Sequence, residues 1–235
     1  MQYLNIGSII YPNMDQADFT GPFEVLSRIP ESRFYVIAKD RHPVRDMRGL
    51  ILTPESTFRD SPRLDVLVVP GGAGQEELMN EEATLSFIRE QARSAQYVFS
   101  VCTGALLCGA AGLLRGVKAT THWAAFQLLQ HFGAIPISSR VIVDGKYISA
   151  AGVTAGLDGS LRLVSLLRGD AIAQQIQLSI EYAPEPPFNS GHPLTAPSDV
   201  ANSVRTSLEE ITERRLTTAG QVATRLGIAF SGESK

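Results

Sequence analysis

The sequence predicts an α/β fold: a three-layer sandwich of helices around a mostly parallel sheet, with a helical extension at the C-terminal end. Short apolar runs such as Val66-Leu67-Val68-Val69 alternate with longer stretches of helical composition. That is the pattern of strands buried on both faces and joined by right-handed crossovers. Two such runs close on unusual turns, Pro70-Gly71-Gly72-Ala73-Gly74 and Cys102-Thr103-Gly104, and functional groups of open parallel sheets gather at strand ends of this kind. At 235 residues, 44% hydrophobic and 19% charged, the chain can bury a full two-sided core and is too apolar for general disorder.

In chain order, Leu4 to Ile10 reads as a buried strand. Asp15 to Asp18 form a polar turn, and Pro22 to Ile29 the first helix, capped by Thr20 or Asp18. Phe34 to Ala38 is a second strand, and His42 to Thr57 alternates around Arg48-Gly49 as a hairpin does. Asp65 to Val69 is a strand buried on both faces, Glu82 to Ser94 an amphipathic helix, and Tyr97 to Val101 a strand running straight into Cys102. Ala105 to Leu114 and Trp123 to Phe132 read as helices, the second ended by Gly133. Val141 to Asp144 and Tyr147 to Ala150 form a hairpin turned at Asp144-Gly145, and helices follow over Gly156 to Leu167 and Asp170 to Ile180. The stretch Pro184 to Pro197 holds five prolines, so it is an extended arm. Ser198 to Leu226 has helical composition. The expected organisation is one α/β domain over residues 1–183, with the arm and C-terminal helix of residues 184–235 part of the same globule.

A net charge of −3 argues against a nucleic acid or an anionic membrane as partner. The apolar run from Tyr3 to Ile10 lacks a basic flank, so no secretion signal is read there, and no run is long enough to span a bilayer. Cys102 and Cys108 are the only cysteines. Their six-residue offset on a helix places them roughly 9 Å apart, too far for a disulfide, and a reducing cytoplasm is the expected location.

The chemistry concentrates at Cys102. A sharp strand-to-helix turn exposes a nucleophile above the sheet. The helix that follows points free amides and the positive end of its dipole at the turn, which favours a thiolate. The amides of Gly72 and Thr103 are candidates for an oxyanion-binding pair. The competing reading is a small buried core thiol, and Cys108, on the apolar stripe of its helix, is read in that way. His122 is either a base or a helix-start residue. His42, His131 and His192 fall in loop or surface-like settings. No grouping of His, Cys and carboxylates has metal-ligand spacing, and the glycine turn lacks the Lys-Ser/Thr of a phosphate loop, so neither metal nor cofactor is expected.

Ser100-Val101-Cys102-Thr103-Gly104-Ala105, followed by Ala110-Ala111-Gly112-Leu113-Leu114 and Thr120-Thr121-His122-Trp123, resembles the nucleophile region of the ThiJ/PfpI superfamily. Asp65 to Gly74 matches the strand and glycine turn that precede it. Asp18-Phe19-Thr20-Gly21-Pro22, Ala155-Gly156-Leu157-Asp158 and Glu181-Tyr182-Ala183-Pro184 with Pro186-Pro187-Phe188 fit the isocyanide hydratase subgroup, so that the resemblance runs along nearly the whole chain. It implies a flavodoxin-like, class I glutamine amidotransferase-like sheet, a homodimer and no cofactor. It also implies a reaction in which water is added to an isocyanide to give an N-substituted formamide. Asp18 then stands where many members carry a glutamate. Beside a thiolate its carboxyl would have a raised pKa and act as the general acid, with Cys102 as nucleophile and Asp18 and Thr103 holding the water. Gly152 and Val153 are candidates to line the pocket for the substrate's R group. Thr103 replaces the histidine that follows the cysteine in peptidase-like members, which weakens a peptidase reading.

The alternatives are a glyoxalase or deglycase of the same fold, a redox sensor that oxidises Cys102, and a regulator with a DNA-binding part. Gln221 to Ile228 resembles the first helix and turn of a helix-turn-helix, but Ala229 to Lys235 are too few for a recognition helix.

Overall fold

The computed structural model describes residues 3–228. Its centre is a seven-stranded sheet in the order β10-β11-β7-β6-β1-β2-β5. The strands are β1 (Leu4–Ile9), β2 (Ser32–Ala38), β5 (Ser56–Thr57), β6 (Val66–Val69), β7 (Tyr97–Val101), β10 (Val141–Asp144) and β11 (Tyr147–Ala150). Every pairing in it is parallel except β10 with β11.

Side chains alternate across a strand, and β6 shows the result. Val66 and Val68 enter one apolar cluster, Leu67 and Val69 the other. The first cluster lies under α1 (Gln16–Leu26), α5 (Ala155–Arg168) and α6 (Asp170–Ser179). The second lies under α3 (Glu82–Ser94), α4 (Gly104–Ala110), a 3-10 helix (Trp123–Phe132) and α8 (Glu209–Leu226). This is the expected sandwich with its C-terminal helical addition. Ala219 and Val222 of α8 are fully buried, so the extension contributes to the core.

Several expectations need correction. The first helix begins at Gln16, because Asp15, not Thr20 or Asp18, accepts the Ala17 amide at 3.0 Å. Asp18 and Pro22 therefore lie inside α1, where Pro22 cannot donate to the Asp18 carbonyl. The hairpin expected over His42 to Thr57 shrinks to β3 (Val44–Arg45) against β4 (Ile51–Leu52), while Ser56–Thr57 leaves it to pair with β2. The helix after Cys102 stops at Ala110, since Gly112 turns the chain with φ +80°. Trp123–Phe132 is a 3-10 rather than an α-helix. His131 is 9% exposed, buried rather than at the surface. The C-terminal helical region is split at Leu208 into α7 (Ser198–Ser207) and α8. A short helix, α2 (Gln75–Leu78), and a small parallel sheet, β8 (Lys118–Ala119) with β9 (Ile135–Pro136), were not anticipated. The proline-rich arm carries neither helix nor strand, as its composition predicted.

Candidate active site

Three loops converge at the carboxyl ends of β1, β6 and β7. The loop after β1 is laced to the glycine turn after β6: the Asp15 amide donates to Gly71 O at 2.9 Å, and the Gly74 amide to Asn13 O at 2.9 Å. The approach requires glycine. A Cβ on Gly72 (φ +125°) would stand 2.2 Å from the Asp15 nitrogen, and one on Gly104 2.0 Å from Val69 O.

Cys102 leaves β7 with φ +55°, a left-handed conformation that costs a non-glycine residue on the order of 1 kcal/mol. Strain of this kind marks a strand-to-helix elbow. The elbow is pinned on both sides, since the Cys102 amide donates to Ala150 O at 2.9 Å and Thr121 Oγ1 donates to Cys102 O at 2.7 Å. Cys102 is 7% exposed and Cys108 1%. Both are free thiols, and apolar burial pushes Cys108 up to about 12, leaving it inert at neutral pH.

Asp18 is wholly buried and faces Cys102. Its Oδ2 accepts the Gly71 amide at 3.0 Å, while Oδ1 has no hydrogen-bond partner. Burial, reinforced by the charge of Asp15, pushes its pKa from 3.8 up to about 7, against the opposing pulls of the Gly71 amide and the Cys102 side chain. The thiol is also pushed up, first by burial and then by the Asp18 charge, with the Thr103 amide and Arg215 acting in the opposite direction. The lowering expected from the helix end is therefore present but outweighed. Near pH 7 the two acids form a coupled pair poised between its two-proton and its one-proton state.

The amide proposed from Gly72 is already engaged. It donates to Thr103 Oγ1 at 3.1 Å, and that hydroxyl approaches Gly72 O at 3.3 Å. The Thr103 hydroxyl thus locks the turn, and its amide is directed at the cysteine. His122 is a helix-start residue: its Nδ1 accepts the Ala124 amide at 3.3 Å. Burial and Arg215 push it down to about 4, too low for a useful base at pH 7. His122, Gly152 and Val153 instead line a cavity of about 1210 Å³, together with Thr121, Trp123 and Leu194 of the arm. Neither Cys102 nor Asp18 lines this cavity; the elbow is tied to it through Thr121, a lining residue whose hydroxyl donates to Cys102 O.

Two participants were missed. The Tyr11 hydroxyl donates to Pro70 O at 2.7 Å, and its own pKa is raised by burial and by Asp18 and Cys102. Arg215 of α8 is 6% exposed and donates to Gly72 O at 2.8 Å and to Gln75 Oε1 at 3.1 Å. The sequence held a signal for it: Arg215 stands on the same stripe as Ala219 and Val222, a charge on an apolar face.

Among the described residues no cluster of His, Cys, Asp and Glu is arranged to hold a metal ion, and no helix is long and apolar enough to cross a membrane. The sequence profile of the DJ-1/PfpI family matches residues 6–166. An isonitrile hydratase from Pseudomonas putida is 51% identical over 218 residues, 90% of this chain and 96% of the relative. The transcriptional regulator GbdR of Pseudomonas aeruginosa is 29% identical over 61% of this chain, which corresponds to 40% of the regulator. The crystal structure of a ThiJ/PfpI family protein from Pseudomonas syringae superposes with a TM-score of 0.91 at 40% identity, covering 94% of this chain and 92% of the other.

Proposed function

Since the chain belongs to the DJ-1/PfpI family, and half its residues are shared with an isonitrile hydratase along almost its whole length, we propose that it hydrates isocyanides to N-substituted formamides. The observation that carries the reading is the buried pair of Cys102 with Asp18, whose Oδ1 is free to move a proton. An isocyanide carbon must accept both a nucleophile and a proton at the same atom. Here sulfur forms the S–C bond while the proton held by the pair passes from Asp18 to that carbon, giving a thioimidate, Cys–S–CH=N–R. Water then adds to the same carbon, the C–S bond breaks, the thiol regains its proton and R–NH–CHO leaves. Thr103 and Gly72 hold the elbow and glycine turn in register during both steps. The slim isocyanide head suits a thiol that is only 7% exposed, and the cavity above accepts R through Gly152, Val153, His122 and Trp123. Apolar walls distinguish one methylene by only about 1–3 kcal/mol, so a broad range of R groups is expected.

Purified protein incubated with alkyl and aryl isocyanides should consume them and release the matching formamides, followed by chromatography with and without a chelator. Consumption of methylglyoxal with no formamide from any isocyanide would replace this reading by a glyoxalase or deglycase activity. The regulator reading is disfavoured because, of the segment Gln221 to Ile228 that resembles a helix-turn-helix, the part up to Leu226 is the end of α8, with Val222 and Ala223 buried. The residues that would follow as a recognition helix, 229–235, lie outside the described residues.

The arm and C-terminal helices are taken as part of the same functional unit, because Leu194 and residues of α7 and α8 wall the cavity. The protein is further taken to act in the cytoplasm, as two unpaired thiols suit, and as a homodimer. The exposed Phe188, Leu194 and Leu178, at 78, 87 and 81%, favour a covering partner. Light scattering should give twice the chain mass of 25.4 kDa, and a particle of 25.4 kDa at micromolar concentration would refute the dimer.

A further inference from the structure

We propose that Arg215 is a positioning residue of this site: a buried cation, supplied by the C-terminal helix, that clamps the Gly72 carbonyl of the glycine turn and counterbalances the negative charge of Cys102 as it attacks. The first argument is connectivity. Nη2 holds Gly72 O at 2.8 Å, and the amide of the same glycine holds Thr103 Oγ1, next to the nucleophile. The preceding amide, Gly71, holds Asp18 Oδ2 at 3.0 Å. One short stretch of backbone thus links the guanidinium to both reacting residues.

The second argument is charge. Arg215 donates hydrogen bonds to neutral oxygens, Gly72 O and Gln75 Oε1. The neighbouring Arg214, by contrast, is exposed and pairs with Glu76 at 3.1 Å. A buried cation is costly unless negative charge faces it. Glu76 favours the guanidinium and Arg214 opposes it, while Cys102 and Tyr11, both pushed up by burial, favour it once they lose their protons. On the other side, Cys102 feels Asp18 and Asp15 as unfavourable and Arg215 as favourable, and His122 is held neutral in part by the same cation. The proton-sharing acids therefore face a built-in counter-ion.

Position gives the third argument. The family profile covers residues 6–166, so the elbow, the glycine turn and Asp18 belong to the common core while Arg215 lies beyond it. The proposal rests on Cys102 being the reactive group of the activity proposed above, but not on the identity of the substrate.

Alkylation of Cys102 by iodoacetamide, followed across pH by mass spectrometry, reads the thiol without any isocyanide. Arg215→Gln keeps a donor for Gly72 and removes the charge. It should move the alkylation midpoint up by about one pH unit, seen as roughly tenfold slower labelling at pH 7. Arg215→Lys keeps the charge and should stay near wild type, as should Arg214→Gln, which removes an exposed charge one residue away. A folded Arg215→Gln protein with the wild-type profile overturns the proposal. If that variant does not fold, Arg215→Lys decides: a midpoint near wild type supports the counter-ion role, and one raised by a full unit overturns it. Failure of the hydratase reading would appear separately, as absent formamide with this profile intact.

Discussion

Replacing Cys102 by alanine is expected to reduce formamide production at least ~10⁴-fold, to the background of the uncatalysed reaction, because no other group at the elbow can form the covalent thioimidate. Cys108 cannot substitute for it, being 1% exposed and pushed up to about 12. The fold should survive. Cys102 sits at φ +55°, where alanine is no more strained than cysteine, and the pinning bonds to Ala150 and Thr121 are made by backbone atoms of residue 102. A Cys102→Gly companion should be equally inactive but more stable by about 1 kcal/mol, since glycine accepts the left-handed conformation without cost. The assay is turnover beside thermal melting. Residual activity within a hundredfold of wild type would show that the elbow is not the reacting centre.

Asp18→Asn is expected to lower turnover by about 10² to 10⁴, the usual loss when a general acid is removed. Wild-type activity should rise with pH through about 7, where Asp18 loses its proton and the pair reaches its single-proton state, and this inflection should vanish in the variant. Stability should move the other way. Burial raises the Asp18 pKa from 3.8 to about 7, so between those values the folded chain binds more protons than the unfolded one. Wild-type stability therefore falls as pH rises through that window and then levels off. The neutral amide escapes the penalty and can still accept the Gly71 amide. The variant should melt at a higher temperature than wild type at pH 8, with a ceiling of about 4 kcal/mol on the gain, and the difference should shrink toward pH 4. A variant with full turnover, or one that melts lower at pH 8, would return Asp18 to a structural role.

Much of the architecture was legible because burial on two faces writes itself into composition. β6, β7 and β11 follow directly from their apolar runs, and the proline-rich arm from its prolines. Less visible were features decided by hydrogen bonds between distant segments. Asp15 and Asp18 both suit a helix cap in sequence; only the Ala17 amide, and the Gly71 amide from another loop, tell the cap from the buried acid. Ser56–Thr57 looked like a hairpin arm until its partner proved to be β2. At the site, Cys102, Asp18 and the glycine turn were found from local pattern and resemblance. Arg215 was missed because the pattern that exposes it, a cation on a buried helical stripe, gains meaning only when Gly72 is known to lie opposite. The Gly72 amide was assigned to substrate because the Thr103 hydroxyl that occupies it cannot be placed from sequence.

The way the sheet ends bears on how the protein behaves in a crowded solution. A parallel sheet of short apolar strands offers, at an open border, a ready template for strands of other molecules. One border here is β5, only Ser56 and Thr57 long. The other is β10, where Asp144 accepts the Lys118 amide at 2.7 Å and Arg140, just before the strand, is paired with Asp158. β5 pairs only with Ile37 and Ala38, so the outer side of β2 from Ser32 to Tyr35 has no strand partner among the described residues, and the exposed charge of Arg33 guards it. The apolar strands β6 and β7 lie in the interior of the sheet order, so their backbones become available to a fibre-type pairing only on unfolding.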